Sequence, residues 1–133
     1  MDVQVVISEV MSEVIAIDGP AASGKSTVTR GAAGKLGYFY VDSGALYRGV
    51  TYVALKKKIK NSDISTLISM ANDIKMDFYV EENAVKFSID GAKLDRELRT
   101  DDINENVGPI SAVPEVRAKV VEWLRSLVKY GNL

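Results

Sequence analysis

A short apolar run, a glycine-bearing loop and a helical pattern follow one another near the N-terminus, and this succession constrains the fold most strongly. Residues 14–18 read VIAID, a β-branched run that predicts a buried strand. Residues 19–26 read GPAASGKS, and residues 27–36 then place apolar side chains along one side of a helix. A strand that leads through a glycine loop into a helix is the typical opening of an α/β domain with a parallel sheet.

The loop matches the pattern G-x-x-x-x-G-K-[ST] at every fixed position. Its glycines let successive backbone N–H groups turn toward phosphate oxygens, and the following helix directs its positive end at the same anion. Lys25 then carries its charge to the β- and γ-phosphates, the Ser26 hydroxyl ligates Mg²⁺, and Thr27 reaches the α-phosphate. The predicted phosphate-binding residues are Gly19, Pro20, Ala21, Ala22, Ser23, Gly24, Lys25, Ser26 and Thr27.

The composition narrows the chemistry that the chain can perform. The 133 residues include no cysteine and no histidine, which excludes disulfides, thiolate or imidazole metal sites and a Ser-His-Asp triad. Lys, Arg, Asp, Ser, Thr and backbone N–H groups remain, and these are the groups that phosphoryl transfer uses. The 17 basic and 18 acidic residues nearly cancel, so no nucleic-acid partner is predicted. No apolar run approaches the roughly 18 residues of a membrane span, and no basic signal-like segment opens the chain, so we expect no membrane partner and a cytoplasmic location.

Two further elements continue the α/β pattern after the loop. Residues 38–41, which read YFYV, predict a second strand, and residues 45–58 predict a second helix. Apolar residues recur at helical spacing along this second helix, at Leu46, Val50, Val53 and Ala54.

The second half of the chain predicts more helices around a small antiparallel element. Either Ser62 or Asp63 caps a short helix, and Thr100 caps another. Period-two alternation over residues 74–95 predicts an antiparallel meander inserted into the α/β body. A last helix begins near Pro114, and its buried stripe is Val116, Val120, Trp123 or Leu124, and Leu127. Of the aromatic residues, Tyr47 on the second helix and Trp123 on the last are assigned to the core.

The segment after the second predicted strand favours one class of phosphate-loop protein. Such a loop by itself is compatible with a GTPase, an ATPase motor or a small-molecule kinase. The chain has no N-K-x-D sequence to read guanine, and no long apolar strand ending in Asp follows the second helix. A small-molecule kinase needs a basic residue where the second strand ends, to hold the acceptor phosphate in line with the transferred group. Residues 42–48 (DSGALYR) supply Arg48 at that place.

Together, IAIDGPAASGKST and LGYFYVDSGALYRGV resemble the bacterial cytidylate kinases, which belong to the nucleoside monophosphate kinase group. The resemblance continues through LRTDDINENV and VPEVRAKVVEWLR, and covers residues 12–133. It implies an α/β fold with the P-loop kinase parallel sheet, represented by its first half, and a small antiparallel insert at about residues 62–98. Residues 1–11 would be an N-terminal extension outside this match, although an ordinary N-terminal strand over residues 1–10 is an equally open interpretation. The implied reaction transfers the γ-phosphoryl group of ATP, with Mg²⁺, to CMP or dCMP.

The resemblance also implies individual roles. Lys25, Arg48 and Asp42 would be catalytic, with Asp42 beside the reacting groups and positioned to hold Mg²⁺ or its waters. Ser43 and Arg48 would contact the 5′-phosphate of the acceptor, Arg99 would lie at the acceptor site, and Arg117 would help to read cytosine.

Simpler interpretations of the same residues stay open. Ser43 could cap a helix, Arg48 could be a solvated surface charge, and Arg117 could pair with Glu115 or Glu122 on its own helix.

Two departures from the family pattern leave alternative functions open. Gly108 stands where the family usually has a serine that meets cytosine, so another phosphorylated acceptor such as UMP is a second hypothesis. The family's Asp-Gly-Arg-Asp strand and arginine-rich lid lie beyond the matched part, so we expect this chain by itself to be inactive or nearly so. The third hypothesis is a non-catalytic nucleotide-binding module completed by strands from a second chain.

Overall fold

The computed structural model describes residues 2–7, 13–18 and 25–133, with side chains described from Arg30 onward. The strands are β1 (Asp2–Ile7), β2 (Glu13–Asp18), β3 (Met76–Glu81) and β4 (Ala84–Ile89). The helices are α1 (Lys25–Leu36), α2 (Ser43–Lys56), α3 (Ile64–Asp73), α4 (Asp101–Ser111) and α5 (Pro114–Ser126), with short 3₁₀ helices at Arg96–Leu98 and Leu127–Tyr130. The chain divides into a first unit (Met1–Asp42, Tyr79–Lys86 and Leu124–Leu133) and a second unit (Ser43–Phe78 and Phe87–Trp123).

In the first unit, the strand predicted before the glycine loop is confirmed as β2. Its sheet partner among the described residues is β1, which runs antiparallel to it in a register from Asp2 opposite Asp18 to Ile7 opposite Glu13. The sheets of the described residues are this pair and the pair formed by β3 and β4, so the chain mixes helices and strands as an α/β protein does. The parallel sheet stays a prediction.

The strand predicted at residues 38–41 is wrong as an element of a sheet. Tyr40 forms a single parallel bridge with Ala84, in which the Tyr40 N–H donates to the Asn83 carbonyl and the Val85 N–H donates to the Tyr40 carbonyl, both at 2.8 Å. The preceding residue bonds to a different segment of the chain, because the Phe39 N–H donates to the Asn132 carbonyl at 2.8 Å. The backbone groups of this segment are therefore satisfied by a turn and by a distant stretch of chain, with no continuous ladder.

In the second unit, α2 lies at the centre and packs against α3, α4 and the first 3₁₀ helix. The predicted stripe of α2 is confirmed, because all four of its apolar side chains are buried. The last helix also buries the predicted face, with Val116 and Val120 fully enclosed and Trp123 only 8% exposed. Burial of such side chains supplies most of the stability of helices this short.

Gly49 lets α2 approach β4 more closely than any other residue would allow. A Cβ atom placed on Gly49 would lie 2.7 Å from Ile89 Cδ1 and 3.3 Å from Phe87 Cε2. We expect Gly49→Ala to lower the free energy of unfolding by about 1–3 kcal/mol, because Ile89 is buried and must change its packing. Urea denaturation measures this loss.

Gly31 provides the matched control for that variant. It also lies inside a helix, but a Cβ atom there would meet nothing within 4 Å. We therefore expect Gly31→Ala to be neutral or to stabilise the protein by up to about 1 kcal/mol. Equal effects at the two glycines would contradict the close approach at Gly49.

Capping side chains define the starts of α3 and α4, as predicted. Asp63 caps α3, and the Thr100 hydroxyl accepts from the Ile103 N–H at 3.3 Å to cap α4. The predicted meander is confirmed as the hairpin of β3 and β4, which Glu82 and Asn83 connect, and its last turn carries a bridge between Ile89 and Ala92. No helix in the described ranges is both long and apolar enough to cross a bilayer.

The cap at Asp63 predicts a pH dependence. The Thr66 hydroxyl donates to this carboxylate at 2.8 Å and the Thr66 N–H donates at 3.4 Å, which lowers the pKa of Asp63 below its ordinary value of 3.8. Because folding favours the ionised form, the stabilisation is complete above about pH 3.8 and is lost as the pH falls through the lower folded pKa.

Comparison with Asp63→Asn isolates this contribution, because asparagine is a good cap that does not titrate. We expect the difference in unfolding free energy between wild type and variant, which is constant above about pH 4, to shrink between about pH 4 and about pH 2. Urea denaturation at several pH values measures it. A difference that stays constant over this range would contradict the role of the charge.

Candidate functional site

A strand and a helix frame the predicted phosphate loop. β2 ends at Asp18 and α1 begins at Lys25, which leaves the six residues 19–24 between them. These six, Gly19, Pro20, Ala21, Ala22, Ser23 and Gly24, lie outside the described residues. Lys25, Ser26 and Thr27 form the first turn of α1, which contains no acidic residue. A strand and a helix therefore flank the loop as predicted, and the first turn of the helix carries no acidic side chain that would repel a phosphate.

The first turns of α2 carry the residues predicted to meet the acceptor phosphate. Ser43 is the first residue of α2 and follows Asp42, and both residues are exposed. Arg48 is exposed one turn further along, and no residue in the described part of the chain forms a hydrogen bond, ion pair or ring contact with its side chain. An unpaired guanidinium near a helix start is well suited to bind a phosphate through two parallel hydrogen bonds.

Arg117 is held by contacts from outside its own helix. Its Cζ atom lies 5.7 Å from the centre of the Tyr47 ring, and its Nη1 donates to the Ser111 carbonyl at 3.4 Å. The alternative pairing with Glu115 or Glu122 is not formed among the described residues, and Glu122 instead pairs with Lys119 at 3.5 Å. Tyr47, which the sequence assigned to the core, is half-buried under Arg117, whereas the assignment of Trp123 to the core is confirmed.

Arg99 lies between the first 3₁₀ helix and the capping residue Thr100. Its Nη2 is 3.0 Å from Asp95 Oδ1, and the two side chains are 73% and 79% exposed. Ion pairs this exposed contribute at most about 1 kcal/mol, so an incoming phosphate can compete for this guanidinium. Since α2 packs against this 3₁₀ helix and α4, the second unit brings together the elements that carry Ser43, Arg48 and Arg99.

Comparison with known proteins identifies the family. The family model described as cytidylate kinase matches residues 15–133. The chain belongs to the cytidylate kinase family.

Individual cytidylate kinases agree with this assignment. Proteins named cytidylate kinase from Ligilactobacillus salivarius and Alkaliphilus metalliredigens are 42% and 43% identical to this chain over 119 residues. The matched part is 90% of this chain but 53% and 52% of those proteins. The chain therefore spans about half the length of the curated cytidylate kinases that it matches.

The glycine at position 108 has a structural explanation in this member of the cytidylate kinase family. Pro109 follows it inside α4, and the proline ring disfavours helical conformation for a preceding residue that carries a Cβ atom. Glycine avoids this clash, and the space around it is open. The Ser111 hydroxyl donates to the Gly108 carbonyl at 3.0 Å, so this turn contains a hydroxyl at a different position.

The residues around the loop fit the triphosphate and Mg²⁺ that cytidylate kinases use in general. A strand, a six-residue interval and a helix that begins with lysine and serine provide the frame and donors of a phosphate site. Among the described residues, no group of three His, Cys, Asp or Glu side chains is arranged to hold a metal. Ser26, with the phosphates themselves, is the residue expected to ligate Mg²⁺, and Asp42 is expected to orient the ion or its waters.

Proposed function

We propose that the protein that carries this chain transfers the γ-phosphoryl group of ATP to CMP or dCMP, giving CDP or dCDP. The observation that supports this most directly is the cytidylate kinase match over residues 15–133, which covers the end of β2, the loop and the DSGALYR segment. The proposal includes the parallel sheet of the P-loop kinases, a monophosphate-binding insert at about residues 62–98 and an extension at residues 1–11. A cytoplasmic location belongs to the same proposal.

The loop and the start of α1 would bind ATP. The backbone N–H groups of Gly19 and residues 21–24 would surround the phosphates, since Pro20 has none to donate. The Lys25 ammonium would offset the charge on the transferred group, and Thr27 would contact the α-phosphate. The Ser26 hydroxyl would hold Mg²⁺, which supplies charge neutralisation between the β- and γ-phosphates when bound.

The second unit would bind the acceptor. Ser43 and Arg48 would hold the 5′-phosphate of the monophosphate, with the guanidinium providing charge and orientation together. Arg99 would exchange its exposed partner Asp95 for a phosphate oxygen, and Arg117 would contact the base. Asp42, directly before α2, would orient Mg²⁺ or its waters.

Catalysis would then rest on positioning and electrostatics, with no covalent intermediate on the protein. The groups proposed to act on the substrates are charged side chains, hydroxyls and backbone N–H groups, in keeping with the absence of cysteine and histidine. Because the chain spans about half the length of its relatives, we propose that it binds phosphate weakly by itself and does not turn over.

A competition assay tests the acceptor. CMP, dCMP and UMP are supplied together at equal concentrations with ATP and Mg²⁺, and the diphosphates formed by the protein that carries this chain are separated and counted. We expect CDP and dCDP to dominate. Preference for UMP would instead support the second candidate, which the glycine at position 108 motivates. Nucleotide binding with no diphosphate formed would indicate the third candidate, a non-catalytic module completed by a second chain.

A further inference from the structure

Two contacts from different elements hold the Arg117 side chain. The guanidinium lies over the Tyr47 ring of α2 at 5.7 Å, and its Nη1 reaches the carbonyl of Ser111, the last residue of α4. Arg117 itself is exposed on α5. An exposed arginine on a helix normally samples many rotamers, so these two contacts reduce the freedom of a group that would otherwise be mobile.

Tyr47 lies on the same helix as the residues proposed to bind the acceptor phosphate. Ser43 and Tyr47 are four residues apart on α2, so they share one face of the helix about one turn, or about 5.4 Å, apart. Arg48 follows Tyr47 directly. Tyr47 therefore shares α2 with the residues proposed to hold the acceptor phosphate, and its ring contacts the arginine proposed to contact the base.

We propose that Tyr47 is a positioning residue, whose ring fixes the Arg117 guanidinium so that it meets the base of the acceptor nucleotide. This inference rests on the proposed function. The face of the ring attracts the cation, and the Ser111 carbonyl sets the direction of one N–H group. The contact with Arg117 is made by the ring, so we expect Tyr47→Phe to retain the role.

The first readout is spectroscopic and needs no nucleotide. A guanidinium over an aromatic face experiences the ring current, so we expect the Arg117 Hε resonance of the 133-residue chain to lie upfield. Tyr47→Leu removes the shift, and Tyr47→Phe keeps it because the ring stays. Tyr52→Leu is the matched control, since Tyr52 lies on the same helix with Lys56 over its ring, also at 5.7 Å. An unshifted wild-type resonance, or equal changes in both leucine variants, would overturn the contact.

The second readout distinguishes the contribution of the base to binding from that of the phosphate. Binding of CMP and of ribose 5-phosphate, which lacks the base, is measured by NMR titration of the same chain. We expect Tyr47→Leu to weaken CMP binding about three- to fivefold, as loss of an exposed cation–π contact implies, and to leave ribose 5-phosphate unchanged. Tyr47→Phe should bind both as wild type does.

The outcomes distinguish this inference from the function on which it rests. If CMP binding is lost equally in Tyr47→Phe and Tyr47→Leu, the hydroxyl touches the nucleotide and the positioning role is wrong. An equal loss of affinity for CMP and for ribose 5-phosphate, or no loss for either, also contradicts the positioning role. If the wild-type chain binds CMP no better than ribose 5-phosphate, the proposed acceptor fails, while the ring-current shift still reports whether Tyr47 holds Arg117.

Discussion

Arg48→Ala should lower kcat/KM for CMP by about 10²–10³-fold in the protein that carries this chain, because it removes the guanidinium proposed to bind the acceptor phosphate. The side chain is exposed and no residue in the described part of the chain pairs with it, so its removal should leave the fold intact. The effect should appear in the dependence of rate on CMP concentration and leave the KM for ATP nearly unchanged. Steady-state kinetics with each substrate varied in turn measure both.

Two further variants test whether the forked guanidinium is responsible. Arg48→Lys keeps the charge but not the fork, so we expect an intermediate loss. Arg96→Ala removes an exposed arginine from the 3₁₀ helix of the same unit and should change kcat/KM less than about twofold. Similar losses in Arg48→Ala and Arg96→Ala would show a general charge effect and contradict an acceptor role for Arg48.

Lys25→Ala should lower kcat by about 10²–10³-fold, the size of effect found when one preorganised donor to developing charge is removed. Lys25 stands at the start of α1, directly after the loop, where its charge and the helix N-terminus would act on the same phosphates. Because the acceptor residues lie elsewhere in the sequence, the KM for CMP should change little. Rapid-quench measurement of a single turnover isolates the transfer step.

Lys35→Ala is the matched control for that variant, since Lys35 lies in the last turn of the same helix. It should lose only the small stabilisation of a cation near a helix C-terminus, and its turnover should equal that of wild type. A Lys25→Ala enzyme that turned over at the wild-type rate would contradict the phosphate loop itself.

Local features of the sequence predicted most of the helices correctly. The caps Asp63 and Thr100 and the apolar stripe of α2 act over a few residues, so their signals can be found without knowing the rest of the fold. The period-two alternation that became the hairpin of β3 and β4 is equally local.

The sequence alone could not predict which distant segments pair with each other. Residues 38–41 have strong β propensity, but a strand needs a partner along its length, and Tyr40 has only the bridge to Ala84. Likewise the run before the glycine loop predicted β2 correctly, yet nothing in it identified β1 as an antiparallel partner. Choice of partner depends on the whole chain and not on propensity.

The residues of the candidate site also fall into those that local sequence could predict and those that it could not. The phosphate loop and Arg48 belong to short contiguous motifs, so sequence alone could nominate them. The contact between Tyr47 and Arg117 joins residues 70 positions apart, and aromaticity alone made Tyr47 a core prediction. The one signal that could have changed this interpretation is its position directly before Arg48, between two residues proposed to bind the acceptor.

The hydrogen bonds on either side of residues 38–41 have a consequence for how the protein emerges from the ribosome. Asn83, whose carbonyl accepts from Tyr40 and whose side chain donates to the Tyr38 carbonyl, is translated more than forty residues later. The Asn132 carbonyl follows Phe39 by more than ninety residues. At about 5–20 residues per second, the segment waits about 5–20 s for this last partner. The helices α3 and α4, against which α2 packs, are complete once Ser111 is made, before Asn132, so a nascent chain should acquire protease resistance around α2 first.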